Sequence, residues 1–380
     1  MRIYADHAAT TQLDLDAFEE MKNFLLTEYG NASQPYSFSR SAKAALKSAR
    51  VTIAKCINAE PEEIFFTSGG TESDNWAIKS TSLEGGEGCE IITSQIEHHA
   101  ILYACHAVER MGCHVVYLPV DTWGVVQPSY LNECINNKVK LVSVMYANNE
   151  IGTMQQIKKL CSITHSKGAL FHTDAVQAVG HVPIDVKDLG VDMLSASAHK
   201  FNGPKGIGFL YVKKETPISP YLDGGAQEFG MRAGTENIAS IVAMAIALEK
   251  NCRKMERNAD HLKKLEDILI GELQVFELDF KRNGSDYKIP GNISLSFRGA
   301  EGEMLLHRLD LMGICVSTGS ACDSKNTQIS HVLEAIRVPQ KYAVGTIRIS
   351  LGPENTEEEV RYIAKSICKI LKNNFRSLQR

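Results

Sequence analysis

Residues 192–212 read DMLSASAHKFNGPKGIGFLYV. An apolar start, Met193 and Leu194, runs into small polar residues and then into Ser197, His199 and Lys200. A Gly/Pro-rich turn, Asn202 to Gly206, follows, and a second strand-like run covers Ile207 to Val212. A strand that ends in a lysine and is closed by a tight turn holds one amine at a fixed point beside apolar surroundings. Desolvation strips an ammonium of its charge, and the neutral amine attacks carbonyls to form a Schiff base. Most lysines are solvated loop residues. The stretches on either side decide against that reading here.

Working outward, strands and helices alternate. Strand-like runs cover 64–67, 90–93, 114–118, 141–146 and 169–172. Helical periodicity covers 39–56, 75–79, 99–111, 131–136 and 157–167. The alternation predicts an α/β fold: a mainly parallel sheet with helices on both faces, binding ligands beyond the C-terminal strand ends. A long helical run, 238–273, leads out of this unit. Beyond it, 292–297 and 346–351 alternate like half-buried strands, and 302–312 and 357–372 are helical. The expected division is a large domain over 15–252 and a smaller α+β domain formed by 1–14 and 253–380.

Composition narrows the function. The chain has 380 residues, 44% apolar and 23% charged, with net charge −4, as in an ordinary soluble globular protein. No long basic run is present, so neither nucleic acid nor an anionic membrane is expected as a partner. No apolar run reaches the roughly 18 residues of a membrane span. The start, MRIYADHAATTQLD, lacks a basic stretch followed by an apolar one, and a cytoplasmic protein without a presequence is expected. Ten cysteines are scattered without C-x-x-C spacing. They predict thiols in a reducing compartment and no metal site.

The chemistry gathers at the strand ends. Ser68-Gly69-Gly70-Thr71 joins a strand to a helix; it suits a phosphate at a helix N-terminus, or a plain turn capped by threonine. In Glu97-His98-His99, adjacent histidines cannot share a helix face, which argues against a metal pair; one imidazole could stack on a flat ring, or simply start a helix. Asp174 ends the apolar run 169–172 and continues toward Gln177. A carboxylate placed there needs a cation, and a pyridinium N–H would keep it ionised. Lysine for an aldehyde, aspartate for a ring nitrogen and a glycine-rich helix start for a phosphate together describe pyridoxal phosphate. Two further residues stand out. Cys322 lies in a small, polar, glycine-containing run, 315–327, that reads as an exposed loop, where a thiol is a liability unless used. Arg348 sits between two isoleucines in Gly345 to Gly352. Facing inward, it needs an anion such as a carboxylate; facing solvent, it is the polar side of a strand.

The motifs TSGGTE, EHHA, NNEIG, HTDAVQ, SAHKFNGPKG, GMRAGT, STGSAC and RISLG, from Ile3 to about Gly352, make the chain resemble the pyridoxal-phosphate-dependent cysteine desulfurases of the NifS/IscS type, within the aspartate aminotransferase fold. The resemblance implies that Lys200 carries the cofactor and that Asp174 pairs with its ring nitrogen. Gln177 would bond the ring oxygen, and His98 would stack on the ring and move protons. Gly70, Thr71, Ser197 and His199 would bind the phosphate. Thr235 would reach the phosphate of a second subunit, which implies a homodimer. Asn149 and Arg348 would hold the carboxylate of L-cysteine, and Cys322 would accept its sulfur. Alanine leaves, and a persulfide passes to an acceptor protein. The family often has alanine at position 70, and asparagine or tyrosine at position 7. Scaffold-loading members often carry a longer tail than one ending at Arg380. An iron–sulfur scaffold, a tRNA-thiolation relay and a thiamine-pathway carrier therefore all stay open as acceptors. Selenocysteine lyase and cystine lyase, enzymes of the same fold, are the alternatives to desulfuration.

Overall fold

The computed structural model describes residues 2–86, 88–319 and 329–378, with side chains to residue 372. Twelve strands are present among them: β1 Ile3–Tyr4, β2 Ile64–Thr67, β3 Glu90–Ser94, β4 His114–Leu118, β5 Val139–Ser143, β6 Leu170–Asp174, β7 Met193–Ser197, β8 Gly208–Val212, β9 Phe280–Asn283, β10 Asn292–Phe297, β11 Ile314–Cys315 and β12 Thr346–Ser350.

Seven of them form one sheet, in the order β2-β8-β7-β6-β5-β3-β4. Strands β3 to β7 pair in parallel, while β8 runs antiparallel to both neighbours, β2 and β7. The reversed strand follows from the turn quoted first: Asn202 to Gly206 is too short for a parallel crossover, so the chain must return antiparallel. Side chains of successive strand residues point to opposite faces. Phe66, Ile92, Val142 and Leu194 accordingly join one apolar core, and Phe65, Ile91, Leu141 and Met193 another. Helices therefore cover both faces, and β7, which leads to Lys200, lies inside the sheet between β8 and β6.

The remaining chain builds a second apolar centre. An antiparallel sheet, β12-β10-β9, and the parallel pair β1-β11 pack with the helices Gly302–Leu311 and Glu357–Leu378. The helix Ile238–Val275, N-capped by the Asn237 side chain, runs through both regions. Its first turns, Ile241 to Leu248, belong to the large core, and Leu262 to Leu273 to the second one.

Three expectations shift. The strand expected over 141–146 ends at Ser143 because the Met145 N–H goes to the Glu97 carboxylate, at 3.0 and 3.1 Å, instead of the ladder. The helix expected over 75–79 extends over Gly70–Gly85, its polar first turn being anchored by ties from Ser68 N–H to Glu72 (2.9 Å) and Glu72 to Arg232 (2.8 Å). The cysteines are not all thiols: Cys89 and Cys113 form a disulfide. They precede Glu90 and His114, which are register partners in the parallel β3–β4 pair, so their Cα atoms lie 5.1 Å apart, within bonding range. Among the described residues, no helix is long and apolar enough to cross a membrane.

Strand β2, which delivers the glycine loop, is held by a buried ion pair. Arg50 Nη2 lies 2.7 Å from Glu228 Oε1, the Glu228 Oε2 accepts the Phe66 N–H at 2.9 Å, and Arg50 also bonds the Ile64 carbonyl. The guanidinium stacks 4.4 Å from the Phe66 ring centroid. Removing one member of such a pair strands the other charge. Arg50→Ala is expected to cost about 3–5 kcal/mol, seen as a lower denaturation midpoint in urea.

Candidate active site

The parallel strands deliver their C-terminal ends to one edge of the sheet. Strand β3 leads to His98, β5 to Asn149, β6 ends on Asp174, and β7 ends on Ser197. A cavity of about 280 Å3 opens there. Of the twelve residues singled out from sequence, ten share its walls: Gly70, Thr71, His98, Asn149, Asp174 and Gln177, with Ser197, His199, Lys200 and Arg348. Thr235 does not join them; within its own chain it lines a separate cavity of about 210 Å3 with Ser68 and Arg232. Cys322 lies outside the described residues. Gly319, three positions before it, does line the first cavity.

Lys200 ends a short helical turn, Ala198–Lys200, after β7. Its Nζ is half-buried and donates to the carbonyls of Ala8 at 2.7 Å and Ala9 at 2.9 Å. The Gln177 amide donates to the same Ala8 carbonyl at 3.0 Å. At Gly70, a Cβ would lie 2.5 Å from Val176 Cγ2, so Val176 takes the room that an alanine would need. Glycine lets the helix start pack directly on the strand-end loop.

Arg348 points inward, which settles the choice left open by its sequence. It is 5% exposed at the centre of β12. Nη1 donates to the Asn149 carbonyl at 3.0 Å, and Nη2 meets Asp6 Oδ1 at 2.7 Å. Asp6 is the anion, and nothing in its sequence surroundings advertised that. Glu150 sits nearby, with Oε2 accepting from Ser330 at 2.6 Å and packed against Gly319.

Burial dominates the electrostatics. It raises the Asp174 carboxyl above its ordinary range, while His98, the Val176 N–H and Lys200 draw it back. Burial likewise lifts Asp74 well above the carboxylate range, Glu97 to about 8 and Glu150 to about 7. It lowers His98 and takes His172 down to about 3. Asp74 and His172 approach to 3.8 Å, but burial disfavours the charged form of each, raising the carboxyl and lowering the imidazole, which works against an ion pair. His172 instead bonds Ser143 and Ser195, each at 2.9 Å. His98 Nδ1 accepts the Ala100 N–H at 3.1 Å, which leaves the ring proton on Nε2. His199, pushed to about 4 by burial with Lys200 and Lys205 nearby, meets Thr10 Oγ1 at 3.2 Å.

Sequence reasoning overlooked Ala8, Ala9, Asp74 and Glu97. The first two act through backbone carbonyls, which leave no trace in residue type. The two acids stand in largely polar stretches, Thr71 to Asn75 and Gln95 to His99, whose composition gives no sign that Asp74 and Glu97 are each only 1% exposed.

The aminotransferase class-V family model matches residues 3–363. A cysteine desulfurase IscS from Dictyoglomus turgidum is 46% identical over 371 residues, covering 97% of this chain and 94% of the relative. Among solved structures, a NifS-like protein superposes with a TM-score of 0.93 at 39% identity, covering 98% of this chain and 100% of that one. A structure described as SspA in complex with cysteine gives 0.82 at 33% identity, covering 94% and 100%. The chain belongs to the aminotransferase class-V family. Within it, the chain falls among the cysteine desulfurases of the IscS and NifS type, and it is an enzyme of that type.

Glu97 gives a pH prediction. Below about pH 4.5 its carboxyl is protonated both folded and unfolded. As pH rises, the unfolded chain releases the proton first, while the folded one holds it to about 8. Stability therefore falls across this window, on the order of a few kcal/mol. Glu97→Gln, which cannot ionise, should flatten that fall in thermal melts run from pH 5 to 8.5.

Proposed function

We propose that the chain is a pyridoxal-phosphate-dependent desulfurase that converts L-cysteine to L-alanine and leaves the sulfur on Cys322. One observation carries the reading: Lys200 and Asp174 share a cavity with a glycine-started helix and an inward arginine.

The residues fit the cofactor. Asp174 is a 5% exposed carboxyl at a strand end, suited to a pyridinium N–H. Asp74 Oδ1 is buried, with no hydrogen-bond partner among the described residues. The first N–H groups of the helix Gly70–Gly85 have no intrahelical acceptor, so they suit a phosphate together with Thr71, Ser197 and His199. When bound, the cofactor supplies an electron sink for the substrate's Cα.

The chain's own residues do the rest. Lys200 Nζ would hold the cofactor's aldehyde, and its amine would carry the Cα proton. Gln177 would bond the ring oxygen. His98, whose burial favours the uncharged imidazole, would stack on the ring and offer the proton on Nε2. Arg348 and Asn149 bind the carboxylate. In the net transfer, the substrate's carbon–sulfur bond breaks as a sulfur–sulfur bond forms at Cys322, so cysteine and a thiol become alanine and a persulfide. An acceptor protein then takes the sulfur, either an iron–sulfur scaffold or a thiolation relay. Thr235, which lines a cavity separate from its own chain's site, serves the phosphate of a second subunit in a homodimer. Residues 15–252 form the cofactor-binding domain, 1–14 and 253–380 the smaller domain that carries the Cys322 loop, and the enzyme works in the cytoplasm.

Purified protein should be yellow. Lys200→Ala should lose that absorption and lower sulfide release on the order of a thousandfold or more. Cys322→Ser should keep the spectral response to L-cysteine yet release no sulfide with thiol present; full release by this variant would remove the nucleophile assignment. Turnover of L-selenocysteine alone, with none of L-cysteine, would replace the desulfurase reading with a selenocysteine lyase. Light scattering should return the mass of a dimer.

A further inference from the structure

The partner of Arg348 extends this reading. The arginine's backbone is fixed on both sides: β12 pairs with β10, and Arg348 exchanges hydrogen bonds with Ser317, its N–H at 2.6 Å and its carbonyl at 3.1 Å. Its guanidinium has five N–H donors in one plane. One goes to the Asn149 carbonyl and one to Asp6 Oδ1. Nε is buried without a hydrogen-bond partner among the described residues. Asp6 is not among the residues that line the cavity, so it grips the guanidinium from outside the space a substrate would take.

Asp6 is itself held in place. It bridges in parallel to Ser350, the His7 N–H donates to the Ser350 carbonyl at 3.1 Å, and the Ala8 N–H to Ser350 Oγ at 2.9 Å. Its own carbonyl accepts from the Tyr4 hydroxyl at 3.1 Å. A carboxylate binds arginine through two parallel, coplanar N–H bonds. Two fixed acceptors, Asp6 and the Asn149 carbonyl, set the plane of the guanidinium before any substrate arrives.

We infer that Asp6 is the positioning residue that orients Arg348 for the α-carboxylate of the amino-acid substrate and so sets the preference for a free acid. The inference rests on the reading of Arg348 as the carboxylate site. Asp6 acts through position, because its charge opposes an incoming carboxylate while its hydrogen bond fixes where that carboxylate must lie. A misplacement near 1 Å can cost on the order of a hundredfold in rate.

The test compares L-cysteine with L-cysteine methyl ester, which lacks the anion, by sulfide release in the holoenzyme. Asp6→Ala should lower kcat/KM for the acid about ten- to a hundredfold, mainly through KM, and leave the ester within about threefold. Asp6→Glu keeps the ion pair but moves the carboxylate by one methylene, so it tests position even if the alanine variant does not fold; it should also lower the acid-to-ester ratio. Asp6→Asn retains an oxygen acceptor and should keep the ratio near that of the unmodified enzyme. An unchanged ratio in both Asp6→Ala and Asp6→Glu would overturn the inference, as would equal losses for acid and ester. An Asp6→Asn loss as large as that of Asp6→Ala would overturn it too. Arg348→Ala separates the two claims: if it leaves the ratio unchanged, the carboxylate reading of Arg348 fails first.

Discussion

Ionisable groups in this protein are crowded into a place with almost no water. Asp74, Glu97 and Asp174 converge on the ends of parallel strands whose faces are both covered by apolar layers. Three carboxyls cannot all be charged there without strong repulsion and desolvation cost. Burial raises each of them, and His98 and Lys200 offset part of that at Asp174. Such a site favours a bound cation over solvent.

The second organising feature is the N-terminal turn, Asp6 to Ala9. It is stitched to Ser350 in the small sheet. From there it reaches in two directions, through the Asp6 side chain to Arg348 and through the Ala8 and Ala9 carbonyls to Lys200 and Gln177. Arg348 on one side and Lys200 with Gln177 on the other are thereby fixed by one short segment near the start of the chain. Residues 348 and 200 need no direct contact to be held in register.

Much of the fold was legible because periodicity and burial agree. A short run such as Ile91-Ile92 or Leu141-Val142, apolar at consecutive positions, fits a strand covered on both faces, and each is divided between two cores. The antiparallel direction of β8 and the edge strand β9 escaped notice. The first depends on the length of a turn, and the second, with Lys281 and Arg282 exposed, carries no hydrophobic pattern. The cysteines misled for a related reason: Cys89 and Cys113 are 24 positions apart, and only the register of β3 against β4 brings them together.

By itself the sequence determined the groups available: which lysine sits beside a tight turn, which carboxylate ends a strand, which glycine-rich turn opens a helix. These properties belong to residue type and local order, and local order survives in a linear string. Tertiary structure alone decided the company each group keeps. It turned Arg348 inward to Asp6, 342 positions away, gave Lys200 two backbone carbonyls, and put Thr235 in a different cavity. Contacts of that kind depend on how sheets pack and on where carbonyls point, and neither quantity is written in the identity of any residue.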